Sequence, residues 1–173
     1  MSTSRARIFS FPNPVNEVSA RVVAAGVVVT AGLTIALDVR WLTLVLAYGF
    51  AARVLTGPTL SPLGQLATRV VTPRLPVAPR LVPGPPKRFA QLIGALFTLT
   101  AAVLTYGFGR FDLAQAVLGL LVVAAALEAF AGFCLGCRIF ALLMRARVIP
   151  ADVCEACNDI WNRRPEPARA GGH

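Results

Sequence analysis

The stretch LAQAVLGLLVVAAALEAFAGF, Leu113 to Phe133, decides the fold. It carries one charged side chain, Glu128. At about 1.5 Å rise per residue it is long enough as a helix to cross a hydrocarbon core of roughly 30 Å. Two further runs of that kind are Val18 to Leu37 and Phe89 to Phe108. Trp41 to Leu55 is shorter, and is read as a span because the topology needs an even partner. Arg21 and Arg53 sit near the ends of their runs, where a long side chain can snorkel to the headgroups. The expectation is an all-α membrane protein with four transmembrane helices.

Composition agrees. Of 173 residues, 56% are hydrophobic and 14% charged, where a soluble domain has about 25% charged. The net charge of +9 would suggest nucleic acid in a soluble protein. No nucleic-acid motif accompanies it, and in a membrane chain Lys and Arg gather in cytoplasmic loops. Met1 to Asn16 has Pro12 and Pro14 where a signal peptide needs an apolar core, so the first span is read as the insertion signal.

The divisions follow from these runs: residues 1–17 form an N-terminal arm, 18–55 a first membrane hairpin, and 89–133 a second. Between the hairpins, residues 56–88 hold eight prolines, which break any long helix. Inside that connector Leu63, Leu66, Ala67, Val70 and Val71 recur at helical spacing, the pattern of a short amphipathic surface helix. The Pro-rich segment after it is expected to be extended, near polyproline II. Residues 134–162 hold both cysteine pairs, and 163–173 read as a disordered tail. The tight turns 38–40 and 109–112 each balance one Arg with one Asp, while the arm, connector and tail hold nearly all other cations. The positive-inside rule then puts both termini, the connector and the cysteines on the cytoplasmic side of a bacterial inner membrane.

All four cysteines lie in two pairs of equal spacing, Cys134 with Cys137 and Cys154 with Cys157. Three readings stay open. In the first, Cys134 and Cys137 are a dithiol that attacks a partner and closes a reversible disulfide, with Cys154 and Cys157 resolving or receiving. Positions three apart differ by about 60° on a helix, so the pair shares a face, and Gly136 leaves room for a partner backbone. The C-terminal dipole of a spanning helix opposes a thiolate there, unless a break at Gly136 gives Cys137 a new helix N-terminus. In the second, all four cysteines bind zinc and fold the tail of a non-enzymatic assembly module. In the third, Cys134 and Cys137 only pack the fourth helix. A small oligomeric transporter is a further class, and Gly26, Gly32, Gly94 and Gly119 permit the close helix contacts of a homo-oligomer.

Glu128 inside a span is costly and faces the bundle interior. A structural pair with Arg53 or Arg21 is the preferred reading; a proton or substrate site is the alternative. On a straight helix Glu128 stands about 120° from Cys134 and 180° from Cys137, a poor place for their general base unless the helix bends at Gly132 or Gly136. His173 and Trp161 are assigned no role in the chemistry.

Several of these pieces coincide with a family pattern. Asn13-Pro14-Val15-Asn16 with Arg21, Arg53 followed by Gly57-Pro58 and Ser61-Pro62, Pro86-Lys87-Arg88-Phe89-Ala90-Gln91-Leu92-Ile93-Gly94, and Glu128 followed by Gly132-Phe133-Cys134-Leu135-Gly136-Cys137 occur in order over residues 11 to 145. In them the chain resembles the DUF4395 group of small bacterial integral membrane proteins. The resemblance implies four membrane helices and a Cys-x-Gly-Cys element, with no established activity. It also implies partners of the thioredoxin or rhodanese type, which favours thiol or sulfur exchange over zinc. Cys154 and Cys157 lie outside the part that the resemblance covers.

Overall fold

The computed structural model describes residues 11–150. In chain order the elements are β1 (Val15–Asn16), α1 (Glu17–Ala36), α2 (Leu42–Thr56), α3 (Pro62–Gln65), β2 (Leu81–Val82), α4 (Gly84–Tyr106), α5 (Phe111–Ala131) and α6 (Leu135–Arg145). Between α3 and β2 the chain continues through a π turn at Leu66–Val71 and a 3-10 turn at Thr72–Arg74. Helices α1, α4 and α5 are long and apolar enough to cross a membrane; α2 is apolar but has 15 residues.

The four long helices run up and down, α1 against α5, α2 against α4, and α4 against α5. Small side chains let them approach: Ala31, Ala101 and Ala114 are wholly enclosed, and Gly94 gives the Phe50 ring its place. Between helices in lipid there is little hydrophobic driving force, so close packing of this kind carries the association. Enclosed threonines satisfy themselves. Thr34, Thr56, Thr98 and Thr105 each donate to the carbonyl four residues earlier, at 2.7–2.9 Å. Large apolar side chains such as Val29, Leu44, Leu96 and Leu120 face outward on all four helices.

Turns 37–41 and 107–110 meet at one end of the bundle. There the Gln115 amide donates to the Asp38 carboxylate at 2.7 Å, and the Arg40 guanidinium lies 5.3 Å over Phe111. Asp38 takes a left-handed φ of 52°, which a short polar side chain tolerates.

The opposite end holds everything else. β1 and β2 pair antiparallel, Val15 opposite Val82 and Asn16 opposite Leu81. Asn16 caps α1 by accepting from Val18 N at 3.0 Å. Glu17 bonds Arg80 through both backbone (2.7 Å) and side chain (3.0 Å), and Asn13 accepts from Gly84 N at 3.0 Å. The arm and the connector thereby tie together the starts of α1 and α4. Helix α4 begins at Gly84, five residues before the expected Phe89. Pro85 and Pro86 stand in its first turn, where a missing N–H leaves no hydrogen bond unmade, so this proline pair opens the helix.

Candidate functional site

The site forms where α5 stops. Gly132 adopts a left-handed φ of 65°, and the N–H groups of Gly132 and Phe133 both turn back to the Leu127 carbonyl. The break therefore falls at Gly132, the first of the two glycines at which the sequence allowed a bend. Gly136 lies inside α6. The room beside it is already filled within this chain, since a Cβ there would stand 2.6 Å from Ala90 Cα of α4.

Phe133 and Cys134 form the link, and Cys134, extended at φ −85° and ψ 102°, is the N-cap of α6. Its Sγ accepts the Cys137 N–H at 3.3 Å, as a Ser or Asp oxygen would at a helix start. The expected sign of the dipole is thus reversed, and for Cys134 instead of Cys137: the thiol meets the positive end of α6. The hydrogen bond from the Cys137 thiol holds Cys134 below the ordinary cysteine range. The Lys87 ammonium and the Cys137 N–H act in the same direction, against burial and the Glu128 carboxylate. Cys137 moves the other way, raised by donating to Cys134 and by burial. The two thiols are thus driven apart, Cys134 toward easier ionisation and Cys137 away from it.

Glu128 does not pair with either expected arginine. Its Oε1 accepts from Lys87 Nζ at 2.6 Å, with the two side chains 17% and 10% exposed. Arg21 is spent elsewhere: its Nε and Nη2 donate to the Ala129 and Phe130 carbonyls at 3.1 and 3.0 Å, satisfying acceptors that the break leaves free. Arg53 is buried and donates to Gln91 Oε1 at 2.8 Å and Ser61 Oγ at 3.0 Å, its guanidinium 4.3 Å over the Phe50 ring. Both arginines are satisfied by neutral acceptors, which leaves Lys87 as the counterion. Lys87 and Gln91 are functional-looking residues that the charge pattern alone did not single out. Their signal was present, four apart on one face of α4 and within the Pro86-to-Gly94 stretch.

A cavity of about 360 Å³ opens beside the thiols. Cys134, Glu128 and Gln91 line its head, and below them stand Val23, Val27 and Phe97. The break at Gly132 is what brings Cys134 and Glu128 onto one lining. Cys134 is buried and Cys137 half-buried. The arrangement offers two free thiols three residues apart, the first the easier to ionise, and a carboxylate-ammonium pair, the elements of reversible disulfide chemistry.

Cys154 and Cys157, like Trp161 and His173, lie outside the described residues. Among the described residues no three His, Cys, Asp or Glu side chains gather as a metal site. No curated protein and no solved structure gives a significant match to the chain. A family model does match: it covers residues 15–145, includes every group of the site just described, and makes the chain a member of DUF4395, a domain of unknown function.

Proposed function

We propose that this is an integral membrane protein with four crossings, in which Cys134 and Cys137 form a cytoplasm-facing dithiol for exchange with a soluble thioredoxin-like or rhodanese-like partner. The observation that carries the chemistry is Cys134 at the N-cap of α6, accepting the Cys137 N–H at 3.3 Å. A thiol so placed leaves readily as a thiolate. A partner thiolate attacks the half-buried Cys137 sulfur of the Cys134–Cys137 disulfide, a mixed disulfide forms at Cys137, and Cys134 departs with the electron pair. A second partner thiol then releases Cys137 as the reduced centre. The reaction is reversible, and the reduction potentials of the two couples set its direction.

Four crossings are supported by the outward apolar side chains of α2, Leu44, Val45, Tyr48 and Leu55, which continue the belt of the three longer helices. At 15 residues α2 reaches about 22 Å, short of roughly 30 Å, and Trp41 at its start suits the interface. Orientation rests on charge. The thiol end gathers Arg69, Arg74, Arg80, Arg88, Arg138, Arg145 and Arg147, whereas at the other end Arg40 and Arg110 are matched by Asp38 and Asp112. The positive-inside rule then turns the thiols to the cytoplasm.

The test is trapping in cells. Cys134→Ser leaves Cys137 without its resolving thiol, so a mixed disulfide with the partner should accumulate and disappear on reduction. Absence of any adduct, with Cys134 and Cys137 equally reduced under oxidant in the wild type, overturns the reading.

A further inference from the structure

Exchange with a soluble protein uses the half-buried Cys137 and leaves the cavity without a task. Cys134, the more readily ionised of the pair, is buried and lies on the lining of that cavity, whose wall reaches the outward face of α5 at Leu120 and Val123. From Glu128 to Leu120 along α5 the lining runs eight residues, about 12 Å, within the part of the helix long and apolar enough to be in lipid. Its volume falls in the range of small-molecule sites, about 300–1,000 Å³. Polar groups occur only at its head. Gln91 gives its oxygen to Arg53, and nothing among the described residues accepts from its amide nitrogen, so a hydrogen-bond donor remains for a guest.

We infer that this cavity takes the ring of a lipid-soluble quinone, and that the Cys134–Cys137 pair exchanges electrons with it. The inference rests on the dithiol reading above. An acyl chain would fill the apolar part but has no use for a donor beside a thiol pair. A quinone has both an apolar ring, which Val23, Val27 and Phe97 can flank, and carbonyl oxygens that accept from Gln91. In the step, the two thiols lose two electrons and two protons and join in one S–S bond, and the quinone takes up both electrons and both protons to become the quinol. The reverse step reduces the disulfide. With exchange at Cys137, the centre links a soluble thiol protein to the membrane quinone pool.

The test uses the full chain with Cys154→Ser and Cys157→Ser in nanodiscs, reduced, and mixed anaerobically with a short-chain ubiquinone. Its fully substituted ring does not form stable thiol adducts. One quinone should be consumed per Cys134–Cys137 disulfide formed, and Cys134→Ser should abolish the reaction. Ala124→Phe adds bulk to the cavity wall on α5, four residues before Glu128, and should slow quinone reduction by about tenfold or more. The same variant should be oxidised by a soluble aromatic disulfide at the wild-type rate. If ubiquinone fails to oxidise the wild type while the soluble disulfide succeeds, the quinone site falls and the dithiol reading stands. An Ala124→Phe rate equal to wild type also overturns the site. If neither oxidant forms the disulfide, both readings fall.

Discussion

Lys87→Met removes a cation and keeps most of the side-chain length, which leaves Glu128 facing the bundle alone. At 2.6 Å and an effective dielectric constant of about 20, the Lys87–Glu128 attraction is about 6 kcal/mol. Desolvating the two ions costs several kcal/mol each, so the pair as a whole is close to neutral for stability. The single substitution is a different matter, because the carboxylate keeps its desolvation cost and loses the attraction. The expected loss is about 3–5 kcal/mol, toward the lower figure because both side chains retain some contact with solvent. Lys87→Met with Glu128→Leu removes both charges, and should return to within about 1 kcal/mol of wild type. The assay is reversible unfolding of the full chain in mixed micelles, with all four members of the double-mutant cycle. A Lys87→Met loss under about 1 kcal/mol, or a double variant as unstable as the two single losses added, refutes the pairing argument.

Other perturbations read other parts of the site. With Cys154 and Cys157 changed to Ser, thiolate absorbance should show one thiolate per chain forming below the ordinary cysteine value of about 8.5, and the second above it; joint ionisation near that value refutes the opposed shifts. Because the folded-state pKa of Cys137 is raised, its stabilising contribution is complete below the unfolded value and is lost as pH rises beyond it. Alkaline destabilisation should therefore be smaller in Cys137→Ser than in wild type. Gly136→Val places a side chain against Ala90 and should cost about 1–3 kcal/mol while speeding alkylation of Cys137, as α6 lifts from α4; an unchanged alkylation rate counts against that close approach. In a cysteine-free background, a membrane-impermeant maleimide should label Asp38→Cys in intact spheroplasts and Leu75→Cys only after lysis, and the opposite pattern overturns the orientation.

Much of the bundle was legible in the sequence because lipid imposes a length and a composition that few soluble segments share. Leu113 to Phe133 and Val18 to Leu37 correspond to α5 and α1 within a few residues. The helix that carries the span read from Phe89 starts earlier, at Gly84, since a proline pair looks like a breaker until it is seen in a first turn, where no hydrogen bond is lost. The β1–β2 ladder left no trace at all, as two residues on each side are too few for a pattern.

The site divides along the same line. Sequence by itself singled out Cys134 with Cys137 and Cys154 with Cys157 as candidate groups, with a costly carboxylate at Glu128, because spacing and the price of a charge in lipid are properties of the chain. Tertiary structure decided the rest. Ala90 abuts Gly136 and draws α6 onto α4, and Gly132 can supply the left-handed turn that this requires. That one turn converts Cys134 from the negative end of a spanning helix to the positive end of the next. It also brings Glu128 beside Lys87, while Arg21 and Arg53 are taken by carbonyls and amides. Which cation meets a buried carboxylate depends on which other acceptors each cation can reach, and that is fixed only when four helices come together.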